Sequence, residues 1–386
     1  ITFEGDTVTL KTDKAYAPSF VYNCLTAGVA NIVDMKTVMA NEVEGDMGNA
    51  WLKANSAGTG AYVLKSFKPN EGYVLEAREG HWRGDAKIKT VFMQHIPEGA
   101  TQRLLLEKGD IDIAREMTPT DIEGISGNAD LKVQSDVGGQ VYYLALNQKK
   151  EELANPKVQE AMRWAIDYTG MQDSILKGQW VVHQNFLPKG FLGAIDENPY
   201  SLDIDKAKAL MAESGLTLPI EIGFTVRNNQ ERLDIATSIQ NTFAQVGINL
   251  VMDVGDGKQG LETYRGRKHD ITLQTWGPDY PDPHTNASTF ALNPDNSDAA
   301  NATGYLAWRT AWDPGAELNA ETNAAVEEKD SAKRAEMYAD IQRKVRDNSA
   351  FVLMFQQARQ DAMRANVTGF YAGGATDSAS YWTVTK

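Results

Sequence analysis

The sequence predicts an α/β protein with more than one domain. Its 386 residues correspond to about two or three domains, since a domain holds roughly 150 residues. Strand-like and helix-like patterns alternate along much of the chain, which is the order typical of sheets covered by helices. Hydrophobic residues at 42% and charged residues at 23% are ordinary values for a globular protein.

The first half of the chain begins with short elements. ITFEGDTVTLKT alternates like a strand around a Gly-Asp turn, and APSFVYNCLTAGVANIVDM has helical spacing. Two runs of β-type residues flank KPNEG, which predicts a hairpin, and KTVFMQHI reads as a further strand. ATQRLLLEKGDIDIA predicts a helix closed by Gly109 and then a short strand, which begins an α/β layer.

The second half repeats the alternation more regularly. A helix is predicted from Asn155, which can cap it, with Pro156 at the first helical position and Gly178 at its end. DIDKAKALMAESGL and NQERLDIATSIQNTFAQVGI predict helices, and PIEIGFTV, NLVMDV and DITLQTW predict strands. A helix over Ser331–Asn348, the buried-type run FVLMF and a strand-like YWTVTK end the chain. This order predicts a second α/β domain with a mostly parallel sheet.

Charge and cysteine content exclude several kinds of partner. The 38 Lys+Arg and 52 Asp+Glu residues give a net charge of -14, which repels phosphate and anionic lipid, so we expect no nucleic-acid partner. Cys24 is the only cysteine and cannot form an internal disulfide. No segment approaches the roughly 18 apolar residues of a membrane span. The first residue is Ile1 rather than methionine, and we expect that an upstream signal peptide has been removed.

The stretch WGPDYPDPH, directly after the strand DITLQTW, is the most informative motif. Ligands of open α/β sheets bind at the carboxyl ends of strands, where this stretch lies. A carboxylate, Asp279, between the rings of Trp276 and Tyr280 suits an organic cation, because the carboxylate pairs with an ammonium and the rings exclude water. The alternative is that Asp279 and Asp282 only cap turns between the prolines.

Four segments occur in an order that resembles one known family. WGPDYPDP resembles W-x-x-D-Y-x-D-P, and GTGAYVL resembles G-T-G-P-Y with Ala61 in place of proline. GHWRGDAKIKTVFMQHIPEGATQRLLLEKGDIDIA resembles N-x-x-Y-W-x-G and the strand, helix and G-D-I-D that follow it. NPKVQEAMRWAID resembles N-P-x-V-R-x-A-I-x-x-A-I-D, with Gln159 in place of arginine. The family comprises the extracytoplasmic solute-binding proteins of peptide- and nickel-type ABC importers, and the resemblance runs from about Ala57 to the end.

The resemblance implies roles for several residues. Asp279 would hold the α-ammonium of the ligand, and Trp276 would line the pocket beside Tyr280. Tyr143 and Asn147 of YLALN would be pocket or hinge residues, or ordinary strand residues. Arg227, at the end of the strand IEIGFTV, would hold a peptide carboxylate, or it is a surface arginine. Trp308, with its neighbours Arg309 and Trp312, would wall the pocket or belong to the core.

The resemblance also implies a fold, a partner and a location. The fold would be bilobal and periplasmic-binding-protein-like, with two mixed or parallel-sheet lobes, a hinge and a ligand cleft between them. Residues 1–57 would be the remnant of a small extra domain, 58–140 with 367–386 lobe I, and 141–366 lobe II. The protein would be a monomer that captures a di- or oligopeptide, or a peptide-like amine, and delivers it to the membrane permease of an ABC importer. It would be periplasmic, or membrane-anchored in a Gram-positive bacterium, with no cofactor and no catalytic residue.

Other functions remain as alternatives at this point. The solute could be an opine, a sugar, nickel or a metal chelate, the last two through His284. A receptor that senses the solute for signalling would use the same pocket. A hydrolase would use Asp279 and Asp282, although G-x-S-x-G, H-E-x-x-H, Walker and G-x-G-x-x-G motifs are all missing from the sequence.

Overall fold

The computed structural model describes residues 1–373, 376 and 378–386. They divide into two compact units: Ile1–Cys24 with Gly139–Gln357, and Leu25–Gly138 with Ala358–Lys386. We call these the large unit and the small unit. The boundary between Gly138 and Gly139 falls inside the strand Leu131–Leu146, and the boundary between Gln357 and Ala358 falls inside the strand Phe351–Arg364. At both places the chain passes from one unit to the other without a loop. Strands and helices alternate along the described chain, which confirms the predicted α/β class.

The elements are numbered in chain order. The strands are β1 (Thr2–Glu4), β2 (Thr7–Thr9), β3 (Tyr62–Lys68), β4 (Gly72–Ala77), β5 (Thr90–Gln94), β6 (Ile113–Ala114), β7 (Leu131–Leu146), β8 (Trp180–Val182), β9 (Ile220–Arg227), β10 (Ile248–Gly255), β11 (Ile271–Trp276) and β12 (Phe351–Arg364). The helices are α1 (Pro18–Cys24), α2 (Met35–Met39), α3 (Asn49–Leu52), α4 (Gly99–Lys108), α5 (Pro119–Gly124), α6 (Glu151–Ala154), α7 (Pro156–Trp164), α8 (Tyr168–Asp173), α9 (Ile204–Glu213), α10 (Gln230–Ala244), α11 (Gly257–Arg265), α12 (His284–Phe290), α13 (Leu306–Arg309), α14 (Gly315–Glu327) and α15 (Ser331–Asn348). Short 3₁₀ turns lie at Gly28–Ala30 and Asp298–Ala300.

The large unit is built on a mixed sheet with the strand order β10-β9-β11-β7-β12, and β8 pairs with β12. β10 and β11 both run parallel to β9, with Ile248 opposite Ile220 and Ile271 opposite Phe224. β7 runs antiparallel to β11, with Trp276 opposite Val141. The parallel part agrees with the predicted sheet, whereas the antiparallel β7 beside it makes the sheet mixed rather than mostly parallel.

Both faces of this sheet are buried. Successive side chains of a strand point to opposite faces, so β7 supplies two separate cores. Tyr142, Leu144 and Leu146 belong to one core, which also contains residues of α7, α9 and α10. Val141, Tyr143 and Ala145 belong to the other, which contains residues of α12, α14 and α15. Strands buried on both faces are nearly continuous apolar runs, which is how VYYLAL of β7 and FVLMF of β12 read in the sequence.

The small unit contains the antiparallel sheet β3-β4-β5, and α4, β6 and α5 follow it along the chain. The predicted hairpin at KPNEG is confirmed: Asn70 and Gly72 have φ of 61° and 145°, and a side chain at Gly72 would lie 2.0 Å from the Met93 carbonyl oxygen. α4 ends at Gly109 with φ of 82°, as predicted, because glycine adopts this left-handed conformation without a Cβ penalty.

Several helix boundaries agree with the sequence, and one differs. Asn155 accepts a hydrogen bond from the backbone N–H of Lys157 at the start of α7, and Pro156 follows it, as predicted. The helix does not continue to Gly178. It ends at Trp164, and Asp167 begins α8 by accepting from the backbone N–H of Gly170. The aspartate is a strong N-cap, so it favours a new helix over continuation of the first.

The two ends of the chain differ from the sequence prediction. The segment from Ala17 to Met35 does not form one helix, since α1 stops at Cys24 and α2 starts at Met35. YWTVTK forms one single bridge, between Thr368 and Thr385, and no strand, while the preceding residue, Ser380, bridges Tyr371. Apolar alternation over so few residues fixes a local conformation only where a neighbouring strand pairs with it.

Residues 1–57 are divided between the two units. Ile1–Cys24 lie in the large unit, and the rest of this segment lies in the small unit. The assignment of residues 1–57 to a small extra domain, and the lobe boundaries at 140 and 366, stay predictions. None of the described helices is both long enough and apolar enough to cross a membrane.

Candidate functional site

The stretch WGPDYPDPH lies at one edge of the sheet of the large unit. β11 ends at Trp276, and α12 begins at His284, so the stretch is the loop between them. β9, β10 and β11 are parallel, and their carboxyl ends therefore share this edge. Arg227 ends β9 at the same edge and is exposed. The structure thus brings Arg227, Trp276 and the loop of Asp279 to the place where an open sheet offers a binding site.

Asp282 anchors the loop. Its side chain and that of Arg334 are each 1% exposed, and the guanidinium donates to both carboxylate oxygens at 2.9 and 2.8 Å. The same carboxylate accepts a hydrogen bond from the backbone N–H of His284 at 2.9 Å, so Asp282 also caps a turn. All of these contacts lie inside the fold. Asp282 therefore holds the loop against α15 and is not free to react with a ligand.

Asp279 is in the opposite situation, although it lies only three residues earlier in the loop. Its side chain is exposed, and its backbone N–H donates to the Thr285 hydroxyl at 3.1 Å. In the part of the chain that the structure describes, no group forms a hydrogen bond or ion pair with its carboxylate. The backbone of Asp279 is thus fixed while its charge remains available.

Tyr280 and His284 pack against α1. The ring of Phe20 lies 6.0 Å from that of Tyr280 and 5.6 Å from that of His284, both edge to face. Burial raises the pKa of Tyr280, and the Cys24 thiol raises it further. Burial also lowers the pKa of His284 to about 4, and its Nδ1 lies 3.2 Å from the Tyr338 hydroxyl. Both side chains are therefore neutral at pH 7 and serve to seat the loop.

Three of the residues predicted as pocket or hinge residues lie inside the large unit. Tyr143 is 1% exposed and contacts the rings of Phe290 and Phe351. The side-chain amide of Asn147 donates to the carbonyl oxygens of Arg267 and His269 at 3.0 and 2.7 Å. The Trp308 indole donates to the carbonyl oxygen of Ser297 at 2.8 Å. The polar groups of Asn147 and Trp308 are therefore used within the fold, and the Tyr143 ring is packed inside it, whereas a role of these three in ligand binding stays a prediction.

A cluster that the sequence analysis missed borders the same edge. The Glu231 carboxylate accepts hydrogen bonds from the Tyr142 hydroxyl at 2.7 Å and from the Trp180 indole at 3.2 Å. The rings of Tyr142 and Trp180 lie 4.3 Å apart. The guanidinium of Arg232 lies 5.3 Å from the centre of the Tyr142 ring. The only hint of this cluster in the sequence was the pair Tyr142 and Tyr143 in β7, because adjacent strand residues face opposite sides of the sheet.

The described residues contain no group of three or more His, Cys, Asp or Glu side chains placed to hold a metal ion. His284, the candidate ligand for nickel, has its Nδ1 beside Tyr338 and its ring against Phe20. Its nearest acidic neighbour in the sequence, Asp282, is paired with Arg334.

Comparison with known proteins identifies the class of protein. Residues 4–298 match the model of the bacterial extracellular solute-binding proteins, family 5 middle, and the chain belongs to this family. The family consists of solute-binding proteins rather than enzymes. This confirms the resemblance seen in the four sequence motifs.

Individual relatives agree with this assignment. The chain is 27% identical over 370 residues to the probable D,D-dipeptide-binding periplasmic protein DdpA of Escherichia coli K12, covering 94% of this chain and 68% of that protein. It is 23% identical over 329 residues to the dipeptide-binding protein of the same organism, covering 83% of this chain and 59% of that protein. The chain therefore spans about three fifths to two thirds of the length of these relatives.

A solved structure shows the same fold. The periplasmic binding protein DppA of Helicobacter pylori, in complex with the peptide STSA, aligns with a TM-score of 0.82 at 20% identity. The alignment covers 96% of this chain and 70% of that one. This chain accordingly has the predicted fold of periplasmic binding proteins.

Proposed function

We propose that this chain is the substrate-binding component of an ABC importer and captures a peptide or a peptide-like amine. The exposed and unpaired carboxylate of Asp279 carries the proposal, because it lies at the carboxyl edge of the sheet on a loop whose backbone is fixed. A fixed carboxylate without an internal partner is suited to an ammonium ion, which forms strong charge-assisted hydrogen bonds with it.

Arg227 and Trp276 complete the proposed site. Arg227 ends β9 at the same edge and is exposed, and its guanidinium forms no hydrogen bond or ion pair within the described residues, so it is available for a carboxylate. Trp276 is half-buried, and its ring packs against one core of the large unit. A cation site and an anion site at one edge suit a zwitterion, and a short peptide is a zwitterion at neutral pH.

The family and the relatives support the class of ligand and the partner. The family is extracellular, and the two relatives described above are named for dipeptide binding in the periplasm. We propose the same for this chain: it works outside the cytoplasm and delivers its ligand to a membrane permease. We propose that it performs no chemistry on the ligand: the hydrolase alternative pairs Asp279 with Asp282, and Asp282 is held by Arg334.

The role of Asp279 can be tested by substitution. We expect Asp279→Ala to weaken peptide binding at least about tenfold, since a charge-assisted hydrogen bond contributes about 1.5 kcal/mol or more. The dissociation constant is measured by calorimetry with a panel of di- and tripeptides. Asp205→Ala removes another exposed carboxylate of the large unit and serves as the matched control, for which we expect no change.

The class of ligand has its own test. Small molecules released by denaturing the purified protein are identified by mass spectrometry, and thermal shifts are measured with peptides, opines, sugars and nickel. A ligand that binds only the folded state at a hundredfold excess over Kd stabilises it by about 2.7 kcal/mol, which is readily measured. A peptide or amine recovered intact supports the proposal. A shift with opines, sugars or nickel alone contradicts it, and so does turnover of the peptide.

A further inference from the structure

Glu231 presents a second carboxylate at the edge that carries Asp279. It lies in the first turn of α10, four residues after Arg227 ends β9. The Tyr142 hydroxyl and the Trp180 indole both donate to it, at 2.7 and 3.2 Å. Tyr142 is 1% exposed and Trp180 is 6% exposed, so both donors are fixed by packing. The orientation of the Glu231 carboxylate is therefore set from inside the protein.

The charge of Glu231 has no counter-ion in the described part of the chain. Both hydrogen bonds come from neutral donors, and no arginine or lysine forms an ion pair with it. The adjacent Arg232 donates instead to the carbonyl oxygen of Leu273 and to the hydroxyl of Thr275, both at 3.1 Å. A carboxylate offers about four lone-pair positions, and the two donors use two of them. Glu231 is half-buried, so part of its side chain remains in contact with solvent.

Glu231 and the strand residue that leads to the loop of Asp279 belong to opposite faces of the sheet. Tyr142, which holds Glu231, belongs to the core on one face. Its partner across the strands is Thr275, the residue directly before Trp276. Trp276, which precedes the loop of Asp279, packs against the core on the other face. Tyr142, which holds Glu231, thus lies beside the end of β11, from which the loop of Asp279 continues.

We propose that Glu231 is a specificity-determining residue that binds a second cationic group of the ligand. The preferred ligands are then peptides that carry a lysine or arginine side chain besides the α-ammonium. This inference rests on the proposed function, in which Asp279 holds the α-ammonium and Arg227 holds the carboxylate. A second fixed carboxylate discriminates by charge, because a neutral side chain leaves it without a partner.

Four peptides of one length test the preference: Ala-Ala-Ala, Ala-Lys-Ala, Ala-Arg-Ala and Ala-Glu-Ala. In the wild-type protein we expect the two cationic peptides to bind at least about tenfold more tightly than Ala-Ala-Ala, and Ala-Glu-Ala more weakly. Glu231→Gln keeps an acceptor oxygen for Tyr142 and removes the charge. We expect this variant to lose the cationic preference and to bind Ala-Ala-Ala within about twofold of the wild type.

Two controls separate a ligand contact from a structural role. Asp234→Asn alters the next carboxylate along α10, which accepts a hydrogen bond from Gln230, and should leave the preference unchanged. The wild-type preference should also shrink as salt is raised, because exposed charge pairs are screened. This second measurement needs no variant.

The outcomes distinguish the inference from the proposed function. If all four peptides bind equally, or if Glu231→Gln weakens binding of all of them alike, Glu231 is not a specificity residue while peptide binding stands. If none of the four binds the wild-type protein, the proposed function fails, and the inference fails with it.

Discussion

Arg334→Met should lower the free energy of unfolding by about 3–5 kcal/mol, because it leaves a buried carboxylate without its partner. Arg334 and Asp282 are each 1% exposed in their side chains and are joined by two hydrogen bonds. The guanidinium also donates to the carbonyl oxygen of Ala325 at 3.0 Å, so the substitution leaves a second buried acceptor unpaired. Chemical denaturation monitored by tryptophan fluorescence measures the loss.

Arg343→Met is the matched control for this prediction. Arg343 lies on the same helix and forms an ion pair with Glu197 at 2.7 Å, but both side chains are more than 40% exposed. Exposed pairs contribute about 0–1 kcal/mol, so we expect a small effect. A double substitution, Asp282→Leu with Arg334→Met, should recover part of the loss because no unpaired charge remains. Equal losses of unfolding free energy in Arg334→Met and Arg343→Met would show that the burial of the Arg334–Asp282 pair does not increase its contribution to stability.

Acidification between pH 6.5 and pH 4 should destabilise the protein through three buried histidines. Burial is the largest cause that lowers the pKa of His183, His269 and His284, each to about 4. An unfolded histidine has a pKa of about 6.5, so below this pH the unfolded state binds protons that the folded state does not. The stability is complete above about pH 6.5 and is lost as the pH falls through the folded pKa. Each histidine contributes at most about 3 kcal/mol to this loss.

His269→Leu isolates one of these contributions. His269 is 2% exposed, packs edge to face on Tyr264 at 5.0 Å, and its ring nitrogens have no hydrogen-bond partner among the described residues. We expect the variant to depend less steeply on pH than the wild type, and to be relatively more stable at pH 4.5 than at pH 7. The exposed His95, replaced by leucine, should leave the pH dependence unchanged. If the free energy of unfolding of His269→Leu depends on pH as steeply as that of the wild type, His269 takes up its proton as readily in the folded state as in the unfolded state.

Local signals in the sequence predicted local features of the fold well. Asn155 and Pro156 begin α7, Gly109 ends α4, and α15 spans Ser331–Asn348 as its periodicity indicates. These features depend on residues within one or two turns. Strand pairing depends on distant residues, and periodicity does not reveal that β7, between β11 and β12, runs antiparallel to β11. The predicted mostly parallel sheet therefore became a mixed one.

In the candidate site, too, the residues with local sequence signals could be predicted and those defined by distant contacts could not. Asp279, Trp276 and Arg227 could be placed at the edge because each follows or ends a strand, and the family resemblance gave them roles. Glu231 could not be found in this way, since its partners Tyr142 and Trp180 lie 89 and 51 residues away in the chain. Tyr143 was named because YLALN resembles a family segment, and the sequence does not say which member of the pair Tyr142 and Tyr143 faces which core. Trp308 and Asn147 carry polar groups that only the folded chain reveals as satisfied.

Asp279 and Asp282 have different roles in one loop, and this difference has a consequence for how such a protein diverges in evolution. One carboxylate, buried against Arg334, determines where the loop lies, and the other, exposed to solvent, determines what it attracts. A mutation at Asp279 changes the chemistry offered to the solute at little cost in stability, because surface substitutions are usually within about 0.5 kcal/mol. Descendants of one ancestral gene could thus acquire new cargoes by single exchanges at position 279 while inheriting the same loop conformation.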